Sequence, residues 1–315
     1  MLRYVARRIA IAILTVFGVS LIVFFAMRIV PGGIVETLGG PSVVQSPGLY
    51  ARLQHKYGLD KPLVVQYGLW LRNALRGDLG ESLGTRASVS HEIVHRIGVT
   101  TELTLLATLL SVLVGVPAGV FAAMRRGSIP DVATRSIALV GFSVPDFVLG
   151  TVLIWFVSTR HIGLPVSGYV PPSDGIGAHL RSMLLPTISL GVIITAVVLR
   201  VVRASVAEVL AEPYVVTARA KGLHPNLVAR RHVLRAALIP LITIVGINTG
   251  YLLSGAVIIE ELFSLPGVGR YAYQGIINRD YPVAQGTVIA GALLFILANL
   301  VADLLYAVVD PRIKY

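Results

Sequence analysis

The 315-residue chain contains no cysteine. Disulfides, thiolate metal sites and cysteine nucleophiles are therefore excluded, and the redox compartment cannot be read from thiol usage. Charge is also scarce: 14% of residues are charged, 55% are hydrophobic and mean hydropathy is +0.78. A water-soluble globule does not carry that balance, so the composition points to a membrane protein. Acids are the scarcer sign, 16 Asp and Glu against 27 Lys and Arg, for a formal net charge of +11. Such an excess raises the question of nucleic acid, which needs a basic face on a folded soluble domain. Here the arginines flank apolar blocks, and a nucleic-acid partner is excluded. No G-x-x-x-x-G-K-[ST] loop occurs, so the chain cannot cradle nucleotide phosphates in the usual way, and energy for any pumping must come from a partner or a gradient.

A bilayer-crossing helix needs about 20 mostly apolar residues. Six stretches qualify: Ile9 to Val30, Leu103 to Met124, Ile137 to Val157, Leu184 to Val202, Ala236 to Ile259 and Val283 to Val309. The first follows Arg3, Arg7 and Arg8 but is too long for a signal-peptide core and lacks a small-x-small cleavage site, so it reads as a retained span. Pro117 and Pro145 lie inside the second and third, which predicts a packed bundle able to satisfy the carbonyls they free. Arginine placement sets orientation: with the N-terminus inside, Arg125, Arg126, Arg135, Arg203, Arg219, Lys221, Arg230, Arg231 and Arg235 all fall on the cytoplasmic side, and the even span number returns the C-terminus there.

Two connections are long. Residues 31–101 contain the turn pairs Pro31-Gly32, Gly39-Gly40 and Gly77-Asp78, with amphipathic patches at Leu49 to Tyr57 and Leu63 to Leu75, and read as a small extracytoplasmic helical subdomain. The cytoplasmic stretch 203–235 is polar and charged. Within it Pro213 suits a helix first turn, good helix formers follow, Gly222 suits a left-handed C-cap, and Pro225 opens a second helix. This predicts a projecting elbow whose small residues Thr217, Ala218 and Ala220 admit a partner's groove, with Arg219 and Lys221 at the rim.

Thr217-Ala218-Arg219-Ala220-Lys221-Gly222 resembles the "EAA" loop of binding-protein-dependent ABC importer permeases, in the form found in the dipeptide/oligopeptide/nickel branch. The general Glu-Ala-Ala falls on Val216-Thr217-Ala218 here, so the match is to the branch. Further segments are similar to its B-type subunits: Met1-Leu2-Arg3-Tyr4 with Arg7-Arg8 and Val30-Pro31-Gly32; Tyr57 to Pro62 with Gln66-Tyr67; Arg76 to Ser82; Glu261 to Gly269 followed by Arg279 to Gly286; and Asp310-Pro311-Arg312. They span essentially the whole length. Asp146 after Pro145, and Gly33 where an acid is usual, depart from the pattern.

The resemblance implies an all-α polytopic membrane bundle of six transmembrane helices with both termini cytoplasmic, the type I ABC importer permease fold, in a bacterial inner membrane. Residues 1–30 would hold the N-terminus and first span, 31–101 the extracytoplasmic subdomain, and 102–315 the permease core with its ATPase-coupling loop at 203–235. The implied function is half of a translocation pathway for di- or oligopeptides or a similar small solute such as nickel or glutathione. The implied partners are a homologous C-type permease, two cytoplasmic ATPase subunits, an extracytoplasmic solute-binding protein and the lipid membrane. No cofactor binds this chain; ATP and Mg are held by partner subunits, and the chain is not an enzyme. Coupling falls to Glu212, Pro213, Tyr214, Thr217, Ala218, Arg219, Ala220, Lys221 and Gly222.

Ionisable groups inside spans cost roughly 2.5–3.5 kcal/mol to insert, so each is a functional candidate. Glu102 sits at the outer edge of the second span and reads as interface-facing. Asp146 would bond the backbone freed by Pro145 or line the pathway. Asp303 is close in depth to Arg200 or Arg203 and predicts an ion pair. Arg28 can snorkel outward and is given no special role. Asn248 and Asn299 would face the pore or glue helices, and Gly115, Gly119, Gly246 and Gly250 allow close helix contact. The histidines, His91, His95 and His179 among them, show no metal-ligand spacing and read as solvated. Glu260-Glu261, Phe263 and Pro266-Gly267 would form a folded plug near the outer pore mouth. The alternative to an ATP-driven importer is an ion-coupled secondary transporter using Glu102, Asp146 or Asp303.

Overall fold

The computed structural model describes residues 2–29, 35, 46–56, 58–228, 233–237, 239–253 and 256–309. The turn pairs at 31–32 and 39–40, Tyr57, Arg230, Arg231 and the closing residues 310–312 lie outside them. Among the described residues regular structure is helical, with a lone bridge between Glu81 and Ser88. Among the described residues four helices are long and apolar enough to cross a membrane: α1 (Leu2–Ile29), α4 (Val89–Met124), α7 (Ile176–Leu210) and α14 (Tyr281–Val309). Short helices α2 (Pro47–Lys56) and α3 (Leu63–Ala74) fall on the two amphipathic patches between α1 and α4.

The third apolar stretch is not one straight helix. It divides into α5 (Ile129–Ser143) and α6 (Asp146–Thr159), bent by 97°. Pro145 supplies no N–H and forces its predecessor out of helical geometry, and Val144 is accordingly extended at φ −89°, ψ 121°. The fifth stretch holds α10 (Leu234–Ala237), α11 (Ile239–Leu253) and α12 (Val257–Leu262), with residues 238 and 254–255 outside the described ones and Ala256 non-helical. Counting the bent pair as one span gives up to five by length and composition among the described residues. Completing the sequence are α8 (Pro213–Ala220), α9 (Pro225–Val228) and α13 (Val268–Ile277).

The chain forms two compact units. One holds residues 1–100, 254–257 and 266–296. In it α1 buries Phe24 and Ser20 against α3, where Tyr67 OH lies 2.8 Å from Ser20 Oγ and Phe24, Tyr67 and Trp70 form an aromatic cluster. The opposite face of α1 is apolar and exposed, with Ile22 at 70% and Ile29 at 80%. Two sequence segments far apart in the chain, Arg76 to Ser82 and Arg279 to Gly286, meet at Asp280. This carboxylate is 6% exposed and accepts from Ser82 Oγ–H at 2.6 Å and Gly84 N–H at 3.3 Å. A Cβ added at Gly286 would come within 2.7 Å of Val89 Cγ1, so only glycine lets α14 approach α4 there.

The other unit holds residues 101–253, 258–265 and 297–315. Gly115 and Gly119 of α4 face α7: an added Cβ would lie 2.9 Å from Val198 Cγ1 at the first and 2.8 Å from the Leu199 carbonyl oxygen at the second. Gly246 of α11 likewise admits Ala302. Arg203 of α7 grips Asp131 of α5 with two bonds, Nε to Oδ1 at 2.6 Å and Nη2 to Oδ2 at 2.9 Å, while Gly127 N–H adds a third at 3.0 Å. Arg203 is engaged by Asp131 and Arg200 lies over the Phe142 ring at 4.9 Å; the expected pairing of Asp303 with Arg200 or Arg203 falls on a side chain outside the described residues.

Gly119→Val would drive a branched side chain into the α7 backbone, costing about 1–3 kcal/mol or more. It should lower the thermal midpoint of the detergent-solubilised protein by several degrees, whereas Gly177→Ala, with open space around its Cα, should leave it unchanged. In the first unit, burial pushes the Tyr271 phenol from 10 up to about 12, reinforced by Glu92 and Asp280 and opposed by Arg96. The unfolded chain ionises first, so stability is full below pH 10 and falls as pH rises from 10 to 12, by roughly 2–3 kcal/mol in all. The Tyr271 hydroxyl has no hydrogen-bond partner among the described residues. Tyr271→Phe should therefore be neutral at pH 7 and shift alkaline unfolding to higher pH in melting curves.

Candidate functional site

The stretch after α7 folds into an elbow. Pro213 occupies the first turn of α8, where its missing N–H is harmless, and Glu212 C=O accepts from Val215 and Val216 N–H at 3.0 and 3.1 Å. The helix stops at Gly222, whose φ of +77° turns the backbone left-handed and lets Leu223 N–H reach back to Ala218 C=O at 3.4 Å. His224 C=O then accepts from Leu227 and Val228 N–H, opening α9. Val215, Ala218 and Val228 are buried, so this is a packed turn and not a strand of loose loop. Glu212, Pro213, Tyr214, Thr217, Ala220, Lys221 and Gly222 are exposed, with Tyr214 at 47%. The small-residue stripe thus splits: Ala218 faces inward, while Thr217 and Ala220 face out. The Arg219 side chain lies outside the described residues. Nothing lies within 4 Å of a Cβ added at Gly222, so its conformation, not crowding, demands glycine there.

The segment of Glu260 to Gly267 is folded. α12 ends on Ser264, at φ +54°, with Leu265 N–H bonded to Glu260 C=O at 2.8 Å. Glu260 is fully buried and Glu261 half-buried. Phe263 is 1% exposed, its ring would sit 3.2 Å from a Cβ on Gly150 of α6, and its carbonyl accepts from Gly168 N–H at 2.8 Å. That last bond joins it to the connection between α6 and α7, where a second network sits. Tyr169 OH donates to Glu102 Oε2 at 3.2 Å, and Glu102 Oε1 shares a hydrogen bond with His179 Nε2. His179 Nδ1–H donates to Val170 C=O at 2.7 Å. Burial, then the charge of Glu102, pushes the Tyr169 phenol up.

His179, read as solvated, is therefore buried at 4% exposure. Sequence gave no signal for it beyond the presence of an acid at the top of α4, because its partner is 77 residues away. His91 and His95 are exposed, one turn apart, with Nε2 atoms 3.0 Å from each other. Asp146 accepts from its neighbour Phe147 N–H at 2.8 Å, which caps the start of α6 just after Pro145. Asn248 donates to Ile244 C=O at 2.8 Å within its own helix, beside a contact between Thr249 and Thr108 hydroxyls. Asn299 is half-buried on α14. No group of three or more metal-ligating side chains occurs among the described residues.

Apolar helices meeting through glycines, an exposed elbow and buried polar anchors define a polytopic membrane protein organised for packing and docking rather than for bond chemistry. Residues 115–315 match the family model of the binding-protein-dependent transport system inner membrane component, and residues 1–104 match the N-terminal model of the same systems. The chain belongs to this family: it is a permease subunit of an ABC importer, not an enzyme, and ATP hydrolysis is the work of separate subunits. It is 42% identical to the di/tripeptide transport system permease protein DppB of Pseudomonas aeruginosa, covering 100% of this chain and 99% of that one. It is 40% identical to the dipeptide transport system permease protein DppB of Escherichia coli K12, with 100% and 99% covered. The glutathione transport system permease protein GsiC of E. coli O6:H1 is 38% identical over the full length of both. A chain of the inward-facing MetNI methionine ABC transporter shares the fold at a TM-score of 0.58 and 20% identity, over 70% of this chain and 96% of that one.

Removing Glu102 leaves His179 and Tyr169 without their shared acceptor. Glu102→Leu should raise chymotrypsin cleavage at Tyr169 roughly tenfold, equivalent to about 1.4 kcal/mol of local stability, with Glu102→Gln intermediate. Cleavage unchanged in both variants would show that the network does not hold the connection.

Proposed function

We propose that this chain is one half of the pore of an ATP-driven importer of small peptides, coupled to its ATPases through the elbow at Gly222. Its relatives named for di/tripeptide and dipeptide transport support the cargo, and the relative named for glutathione, itself a small peptide, is compatible with it. The other half is a homologous C-type permease, two ATPase subunits hold ATP and Mg, and a solute-binding protein delivers the cargo outside a bacterial inner membrane. Both termini are cytoplasmic, with α5 and α6 as a broken span and α10 to α12 as a segmented one, which brings the crossings to six.

The single observation that carries the coupling role is the conformation at Gly222. A left-handed turn with open space around it holds α8 at a fixed angle and presents Tyr214, Thr217, Ala220 and Lys221 outward. The small residues permit close approach of a partner's groove, and Lys221 offers a charge at its edge. The acids that an ion-coupled carrier would use are committed elsewhere where they are described: Glu102 to His179 and Tyr169, Asp146 to the start of α6. The segment of Glu260 to Phe263, tied to Gly150 and Gly168, is the outer gate.

Gly222→Val forces a β-branched residue to positive φ, at a cost of about 1–2 kcal/mol in the turn. In the assembled transporter in proteoliposomes, peptide uptake should fall at least roughly tenfold while membrane insertion is retained. Gly222→Asn, which tolerates the left-handed region, should keep most of the uptake. Wild-type uptake in Gly222→Val would sink the coupling role.

A further inference from the structure

Three of the sequence segments singled out above line one cavity, and nothing in the importer cycle as described accounts for it. A pocket of about 510 Å³ in the first unit is bounded by Gly58 to Lys61 with Gln66, by Asp78 to Glu81, and by Tyr281, Pro282 and Gln285 at the start of α14. Its volume is that of a small-molecule site. The walls are fixed. Gln66 Nε2–H donates to Leu59 and Lys61 carbonyls at 3.2 and 2.8 Å, Asp78 accepts from Gly80 N–H at 2.9 Å, and Asp280, next to Tyr281, is anchored to Ser82.

Behind the lining side chains lie N–H donors in surplus. Gln285 is only 5% exposed, yet its Nε2 has no hydrogen-bond partner among the described residues, and the same is true of the buried indole N–H of Trp70. Both residues line the pocket, as does Arg28. The Arg28 guanidinium lies 3.3 Å above the Phe24 ring, and its Nε and Nη1 donate to Gln66 Oε1 and the Phe24 carbonyl. A guanidinium has five N–H groups, so donors remain. Buried polar groups in native proteins are almost always satisfied, and two unsatisfied donors beside a cation signal an absent acceptor. Lys61 and Arg86 at the exposed rim add positive charge, and Glu81 there adds an acid. That mixture suits a ligand bearing charges of both signs.

We propose that this pocket binds the free carboxylate of a small peptide on Arg28, Trp70 and Gln285, a site on the permease itself in addition to the binding protein. The choice of peptide rests on the importer reading; the oxyanion does not, since donors without acceptors call for carboxylate or phosphate whatever the cargo. Arg28 supplies the charge, and Gln285 and Trp70, whose unpartnered N–H groups are sealed behind the wall, supply neutral donors for two oxygens by turning toward the ligand. Arg28 thus gains a role that end-of-helix snorkelling did not suggest.

Trp70 is also a reporter, because the only other tryptophan is Trp155. The full chain carrying Trp155→Phe, in phosphatidylcholine nanodiscs, would be titrated with dialanine and with its C-terminal amide while Trp70 fluorescence is followed. The expected result is a saturable change with dialanine that weakens at least tenfold for the amide, and at least tenfold again for Gln285→Leu and for Gln285→Glu, whose added carboxylate repels the ligand. Two replacements of opposite polarity guard against a folding defect in either. No change with dialanine, or equal responses to acid and amide, overturns the proposal. So does a change produced by phosphatidylglycerol in the disc and not by dialanine, which would assign the donors to a lipid phosphate. Peptide uptake by the assembled transporter, measured alongside, keeps the two readings apart: normal uptake without Trp70 response overturns the pocket alone, and absent uptake bears on the importer reading.

Discussion

Hydrocarbon offers no hydrogen-bond partners, and so every backbone N–H and C=O placed in it must be satisfied within the protein. That constraint makes the apolar runs helical, and it also governs where they break. At Val144-Pro145 the chain gives up a bond that Pro145 cannot make and restarts with Asp146 capping its neighbour's N–H. The helices on either side of that break meet at 97°. The hydroxyls of Thr15, Ser143, Thr151 and Thr195 obey the same rule by bonding carbonyls of the preceding turn.

Helices satisfied in this way have no hydrophobic drive to associate in lipid, and contact depends on how closely backbones approach. Gly115 and Gly119 on α4 and Gly246 on α11 provide that approach in one unit, and Gly286 provides it in the other. Polar anchors then set the register. Asp131 with Arg203 locks α5 to α7, and Asp280 with Ser82 locks the start of α14 to the connection before α4. Each of these carboxylates is nearly inaccessible, 1% and 6% exposed, so breaking either pair would strand a buried charge.

A permease does no bond chemistry, and its working parts are those that hold shape against a partner or a solute. The elbow proposed for coupling is a glycine turn with Val215, Ala218 and Val228 buried. The segment proposed as the gate is held with Phe263 beside Gly150. The pocket beside Arg28 differs in bringing two buried, unpartnered N–H donors together with a cation, which is the basis for proposing a ligand there.

Legibility in the sequence followed the range of the interaction. The elbow was readable because its signals, Pro213, Gly222 and Pro225, act on their own backbone within a turn or two. Family resemblance at Thr217 to Gly222 and Arg279 to Gly286 named the class of protein for the same reason, since local motifs survive as strings. The break in the third stretch was not readable because Pro145 leaves open whether a helix kinks or stops, and its surroundings decide. Asp131 was not foreseen as the partner of Arg203, His179 was taken for a solvated residue, and Arg28 was given no partner. Their partners Asp131, Glu102 and Gln66 stand 72, 77 and 38 residues away. Hydropathy and arginine placement by themselves determined that this is a membrane protein built from apolar helices. Only the tertiary structure decided which acids are anchors and which donors lack acceptors, because burial and pairing arise from contacts that no stretch of sequence contains.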